Sequence, residues 1–148
     1  MTSKYVVKVD ASSENPGRSV ASAILYKDDI KIESAVKQYI NITNNEAEYM
    51  AIFLGLKLFL KHREGEDDYL LLQSDSNLAV KQLNNEYMTR SKKMKTAKDS
   101  ITEFIKTHKI NVNIEHIRRE ENKEADELAR KSLKKVKEVI QNENKNKY

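Results

Sequence analysis

The chain has 148 residues, the length of one ordinary domain, which is large enough for a hydrophobic core but not for two. It contains no cysteine, so disulfides and metal sites built on thiolates are excluded. The formal net charge of +4 comes from the tail after residue 130, where six lysines face two glutamates, and the rest of the chain is balanced. A lysine-rich tail is more often a solvated helix face than a phosphate-binding element, so charge alone does not identify a partner.

The chain start MTSKYVVKVDA lacks the charged stretch, apolar run and small-residue cleavage site of a secretion signal. The longest apolar run is interrupted by Lys57, which argues against a membrane-spanning helix. We therefore expect a soluble cytoplasmic protein without a membrane partner, and take a monomer as the default. Residues 1–140 are predicted to form one domain, and the polar residues 141–148 a frayed tail.

Hydrophobic periodicity predicts alternating strands and helices. In chain order we predict a strand over residues 4–11, a turn in SSENPGR, a hairpin of strands 19–26 and 31–40 joined by KDD, a helix over 43–61, a strand over 69–75, helices over 76–85 and 88–108, a strand over 111–117, and a helix from about Asn122. The order βββαβααβα predicts an α/β fold with a mixed sheet and helices packed on its faces.

The helix TNNEAEYMAIFLGLKLFLK carries two glutamates with different predicted roles. Thr43 lies three residues before Glu46, which is the spacing of a capping box, so Glu46 is expected to satisfy backbone donors at the helix start. Glu48 lies on the same helical face as the apolar residues that follow it, opposite Lys57. A carboxylate on that face must be paired, protonated or bound to a cation.

Two aspartates are predicted to lie near Glu48. Asp10 and Asp75 each end a strand, and if those strands are parallel neighbours their carboxyl ends meet at one edge of the sheet. Each aspartate alone is also typical of a turn or a helix N-cap. Together with Glu48 they favour a site for Mg²⁺ or Mn²⁺, because clustered carboxylates repel one another unless a divalent cation holds them.

Four motifs carry a resemblance to a known family: VDAS…NPG, TNNEAEY, SDSNLAV and REENKEADELAR. In their order and spacing the chain resembles the type 1 ribonucleases H, in a compact archaeal or bacterial form. The resemblance implies a five-stranded sheet whose first three strands are antiparallel. It also implies a metal-dependent endoribonuclease that hydrolyses the RNA strand of an RNA/DNA hybrid with two metal ions, and the family's four acidic positions fall on Asp10, Glu48, Asp75 and Asp126.

The resemblance also assigns roles to the acids. Asp10 would bridge both ions, Glu48 and Asp75 would hold one, and Asp126 would hold the ion that activates water. Helical counting by itself does not distinguish Asp126 from Glu124, since the two border the apolar stripe of the last helix on opposite sides. Only the match of EADELAR to the family motif selects Asp126.

Substrate discrimination is expected to come from amides near the acids. The family positions that approach the minor groove, where 2′-hydroxyls distinguish RNA from DNA, are matched by Asn15, Asn44, Asn45 and Asn77. This predicts little sequence specificity and leaves double-stranded RNA open as a second substrate. The alternative is that Asn44 and Asn45 help to cap the helix and that Asn15 shapes the NPG turn.

Three departures from the family pattern stand out. Ala11 replaces a usual glycine, so the approach of the backbone to substrate is altered there. The chain has no tryptophan, and RSKKMKTAK supplies only basic residues, so the basic handle of many members is missing. Arg119 is nearest to the position of a histidine that assists proton transfer or product departure in other members.

Two other functions share parts of this sequence pattern. A catalytically silent nucleic-acid-binding domain of the same fold is suggested by Ala11 and the missing handle, while the intact acids argue against it. A proofreading exonuclease of the superfamily would carry a second acid two residues after the first, where this chain has Ser12.

Overall fold

The computed structural model describes residues 2–14 and 17–146, with residues 141–146 as backbone only. Five strands and four helices follow one another in the predicted order. They are β1 (Lys4–Glu14), β2 (Arg18–Lys27), β3 (Ile30–Ile40), α1 (Asn44–His62), β4 (Tyr69–Ser74), α2 (Asn77–Leu83), α3 (Lys92–Thr107), β5 (Asn111–His116), a short 3-10 helix (Arg119–Glu121) and α4 (Lys123–Asn146). Within the described ranges, none of these helices is long and apolar enough to cross a membrane.

The five strands form one sheet in the order β3-β2-β1-β4-β5. β1, β2 and β3 are antiparallel neighbours, whereas β4 and β5 run parallel to β1. The predicted mixed sheet is therefore confirmed. The β2–β3 hairpin closes through Asp28 and Asp29, whose φ angles of 52° and 64° are those of a tight turn with left-handed central residues.

The first strand is longer than predicted. We expected a turn from Ser12, because SSENPGR is rich in turn residues, but β1 continues to Glu14. Antiparallel pairing with β2 extends it, since Ser13 lies opposite Ser19 with their hydroxyls 2.8 Å apart and the Glu14 carboxylate lies 3.8 Å from the Arg18 guanidinium. Local turn preference is outweighed here by pairing with a neighbouring strand.

The last helix, α4, extends to Asn146, into the segment of residues 141–148 that we predicted to be a frayed tail. The segment consists mainly of residues that tolerate a helix, and adding turns to an existing helix is easier than starting one. Between α2 and α3, residues 84–91 are fully described and contain no further helix, as the missing handle predicts.

Helices cover both faces of the sheet. α1 packs closely on β1 at Gly55, where an added Cβ would lie 2.7 Å from the Val9 Cγ1 atom and 3.3 Å from the Val7 Cγ1 atom. α4 contacts β1 and β2 from the other face, where the Ser22 hydroxyl reaches the Ala125 carbonyl. The apolar core lies mainly between α1 and the sheet, and the close packing at Gly55 fixes the position of α1 relative to β1.

Candidate active site

The register of the sheet brings two aspartates together. The last parallel pair between β1 and β4 is Val9 with Ser74, so Asp10 in β1 and Asp75 directly after β4 are the next residues along the chain. Carboxylate oxygens of Asp10, Glu48 and Asp75 all lie within 4.8 Å of one another. Three acids far apart in sequence therefore meet where the parallel pairing of β1 with β4 ends, at the carboxyl end of β4, an edge of the sheet where α/β proteins commonly bind ligands.

The two glutamates in the first turns of α1 have different surroundings. Glu46 completes the capping box, since its Oε1 accepts from the Thr43 N–H at 3.1 Å and its own N–H donates to the Thr43 hydroxyl at 3.1 Å. Glu48, two residues later, points toward the sheet, on the face that also buries Ile52 and Phe59. The helix cap sets where α1 begins and thereby where Glu48 lies.

Mutual proximity and burial make the cluster electrostatically costly. Burial raises the pKa of the Asp10 carboxyl to about 8, and the neighbouring charge of Asp75 adds to the effect. Burial raises the pKa of Glu48 to about 9, with Asp10 and Asp75 contributing, while Arg119 opposes the shift. Among the described residues, the buried Oε2 of Glu48 has no hydrogen-bond partner. Such a cluster favours a proton or a bound cation.

The fourth predicted acid lies at the margin of this cluster. Asp126, in the first turn of α4, is close enough to Asp10 to raise the pKa of that carboxyl, but it is not among the three acids within 4.8 Å. Its Oδ2 accepts from the Arg130 Nε at 3.1 Å. Glu124, the competing candidate, turns away and accepts from the Tyr26 hydroxyl. Of the two acids, Asp126 is the one beside Asp10.

A cavity of about 340 Å³ opens over the three acids. Besides the acids, its lining consists of Ala11, Asn44, Asn45, Ser76 and Arg119. Asn77 is exposed just beyond the lining at the start of α2, and Asn15 lies outside the described residues. The structure thus brings two of the four predicted amides to the acids, together with the predicted arginine.

Ser76 lines the cavity and is also the N-cap of α2. Its hydroxyl accepts from the Ala79 N–H at 3.3 Å as the N-cap of α2, and its own N–H donates to the Ser74 hydroxyl at 3.1 Å. The capping signal in SDSNLA predicts this role. It also holds the chain in a fixed path directly after Asp75.

The donor set fits a hard divalent cation. Three carboxylates with oxygens within 4.8 Å and one buried oxygen without a partner supply the oxygen ligands that Mg²⁺ and Mn²⁺ prefer. The cluster contains no histidine or thiolate that would favour zinc. A cation would also offset the burial and the mutual repulsion that raise the pKa values of Asp10 and Glu48.

Comparisons with known proteins agree with this geometry. Residues 8–132 match the family model described as "Reverse transcriptase-like". The chain is similar in structure to a ribonuclease H1 from the halophilic archaeon Halobacterium salinarum, with a TM-score of 0.81 and 26% identity over 89% of this chain and 98% of the other.

Two further structures share the fold. LC11 ribonuclease H1, solved in complex with an RNA/DNA hybrid, superposes with a TM-score of 0.82 at 23% identity over 89% of this chain and 98% of the other. The N-terminal ribonuclease H domain of rv2228c from Mycobacterium tuberculosis gives 0.82 at 22% identity over 94% of this chain and 99% of the other. The chain therefore belongs to the reverse transcriptase-like family and has the fold of the type 1 ribonucleases H.

Proposed function

We propose that this protein is an endoribonuclease that hydrolyses the RNA strand of RNA/DNA hybrids with two divalent ions and little sequence specificity. The observation that carries the proposal is the convergence of Asp10, Glu48 and Asp75, whose carboxylate oxygens lie within 4.8 Å of one another at the sheet edge. The similar LC11 ribonuclease H1 was solved with an RNA/DNA hybrid, which supports the substrate class.

The four acids would divide the work of holding the ions. Bound Mg²⁺ or Mn²⁺ supplies activation of a water molecule and neutralisation of charge on the phosphodiester. Asp10 is central and would contact both ions, Glu48 and Asp75 would hold one, and Asp126 would complete the other. The fixed positions of β1, β4 and α1 keep three of these carboxylates preorganised, so little reorganisation is needed at the moment of reaction.

Substrate recognition is assigned to the amides beside the acids. Asn44 and Asn45 line the cavity, and an amide can both donate to and accept from a ribose 2′-hydroxyl. We extend the same role to Asn15 and Asn77. Because the 2′-hydroxyl is common to every ribonucleotide, these contacts would select RNA over DNA without reading sequence, and double-stranded RNA is a second substrate to test.

Arg119 would act on the phosphate. It lines the cavity and its charge opposes the rise in the pKa of Glu48, so it lies near the acids. A guanidinium stays protonated at all working pH values, so Arg119 would not relay protons as a histidine does. It is suited instead to bind the scissile phosphate or to draw the cleaved phosphate away.

An end-labelled RNA/DNA hybrid tests the proposal directly. We expect internal cuts in the RNA strand with Mg²⁺ or Mn²⁺ and none with chelator. Asp75→Asn should lower the rate by about 1,000-fold or more, since metal-ion stabilisation of such a transition state is worth several kcal/mol. Glu124→Gln is the matched control, because it removes a nearby acid that points away from the cluster.

Single-stranded RNA, double-stranded RNA and double-stranded DNA run alongside the hybrid define the substrate class. Hybrid binding without cleavage in either metal would refute the nuclease and leave a silent binding domain. Cleavage that Asp75→Asn does not reduce would refute the assigned site.

A further inference from the structure

Two buried polar side chains connect α4 to the strands beneath it. Ser22 and Asn122 have no exposed surface, and neither belongs to the set of acids and amides described above. Ser22 lies on β2 directly opposite Asp10 in the antiparallel register, so the two side chains share the face of the sheet that α4 covers. Asn122 directly precedes the first residue of α4.

The hydrogen bonds of these residues end at the chain segments that carry two of the acids. The Ser22 hydroxyl donates to the Ala125 carbonyl at 2.7 Å and approaches the Asp10 carbonyl at 3.4 Å. The Asn122 Nδ2 donates to the Val9 carbonyl at 2.8 Å. One bond therefore holds the residue before Asp126, and the other holds the residue before Asp10.

Asn122 makes this contact at an energetic cost. An asparagine that precedes a helix commonly uses its Oδ1 to accept from an N–H of the first turn, but the Oδ1 of Asn122 is buried and has no partner among the described residues. Its backbone carbonyl still accepts from the Asp126 N–H at 3.1 Å. The side chain is thus directed to β1 instead of capping its own helix.

We propose that Ser22 and Asn122 are positioning residues that fix Asp126 relative to Asp10. This Ser22–Asn122 clamp rests on the proposed function. Asp126 is the only one of the four acids carried by the helical layer on the far side of the sheet from α1, so its distance from Asp10 depends on how α4 is seated. The two bonds attach the start of α4, at Asn122 and Ala125, to β1 and β2, and leave α4 little freedom to slide along the sheet.

The test separates positioning from folding. Ser22→Ala removes one hydroxyl and Asn122→Ala removes the amide, and Ser22→Thr keeps the hydroxyl. Mn²⁺ affinity is measured without substrate by electron paramagnetic resonance, and kcat and KM are measured on the hybrid. We expect each alanine variant to lower kcat or Mn²⁺ affinity by about 10- to 100-fold with KM unchanged, as for other residues that orient metal ligands. Ser22→Thr, which keeps the hydroxyl, should have the kcat and Mn²⁺ affinity of the wild type.

Asp68→Asn is the matched control, because Asp68 is a buried acceptor of backbone bonds at the other end of β4. It should reduce stability and leave kcat and Mn²⁺ affinity unchanged. In an Asp126→Asn background, Asn122→Ala should cause no further loss of Mn²⁺ affinity, because both changes act through one carboxylate.

The clamp is refuted if Ser22→Ala and Asn122→Ala lower the melting temperature but leave Mn²⁺ affinity and kcat at wild-type values. If Asn122→Ala does not fold, Ser22→Ala decides the question alone. A wild-type protein that binds Mn²⁺ and cuts no hybrid would refute the proposed nuclease, and the clamp would then stand or fall on Mn²⁺ affinity.

Discussion

Asp10 and Asp68 expose similarly small fractions of their surface, 4% and 3%, yet their pKa values move in opposite directions. Asp68 precedes β4 and accepts from the backbone N–H groups of Glu64 and Ser3, each at 2.9 Å, and these bonds lower its pKa. Asp10 lies beyond the other end of β4, where burial and the charge of Asp75 raise its pKa to about 8.

The contrast shows that the exposed surface of a carboxylate does not by itself decide its charge state. At Asp68 the chain itself supplies the donors that the charged form needs, so the site is complete. At Asp10 the neighbouring groups include the carboxylates of Asp75 and Asp126, so the cluster favours a proton or a bound cation. Asp68 therefore stabilises the segment around it, whereas an ionised Asp10 lowers the stability of the metal-free protein.

The largest expected effect is on the pH dependence of stability without metal. Because the folded pKa values of Asp10 and Glu48 are raised, the folded state holds more protons than the unfolded state between about pH 4 and pH 8 to 9. The free energy of unfolding should therefore fall as pH rises through this window. Asp10→Asn should remove much of this slope and stabilise the metal-free protein at pH 7 by roughly 2 to 4 kcal/mol.

Urea unfolding in chelator at several pH values measures this slope. The control is Glu124→Gln, which should leave the slope as in the wild type, because Glu124 lies outside the cluster. An Asp10→Asn protein less stable than wild type at pH 7 would contradict the raised pKa.

Metal removal should give the next effect in size. A cation that binds only the folded protein stabilises it by about 2.7 kcal/mol at 100 times its dissociation constant. We expect Mg²⁺ to raise the free energy of unfolding of the wild type by about this amount and to do little for Asp10→Asn. Thermal unfolding with and without chelator checks this, and equal stabilisation of both proteins would place the cation elsewhere.

Part of the acid cluster could be predicted from the sequence. Asp10, Glu48 and Asp75 could be identified because the ends of the predicted strands and the helical periodicity indicate which residues converge. Asp126 was not, since periodicity left Glu124 equally placed and only the family motif decided. Asn122 resembles an ordinary helix cap in sequence, and its bond to Val9 depends on how α4 is seated on the sheet.

The extension of β1 to Glu14 was missed for a related reason. The residues Ser12–Glu14 have turn chemistry locally, and only pairing with β2 makes them a strand. The bond of Asn122 to Val9 joins segments that are distant in sequence, and the extension of β1 depends on its register with β2. Composition gives no signal for either contact.

The smallest effect concerns Asp68. Asp68→Asn keeps one carbonyl oxygen but turns a donor toward the second backbone N–H, so one of the two bonds is lost and the free energy of unfolding should fall by about 2 kcal/mol at pH 7. The lowered pKa of Asp68 means that the wild-type advantage is present above the ordinary aspartate pKa and disappears as pH falls below it. Urea unfolding of both proteins at pH 7 and in acid measures the difference. If the difference in the free energy of unfolding persisted in acid, Asp68 would act through packing and not through its charge. The contrast between Asp68 and Asp10 would then not be one between two ionised carboxylates.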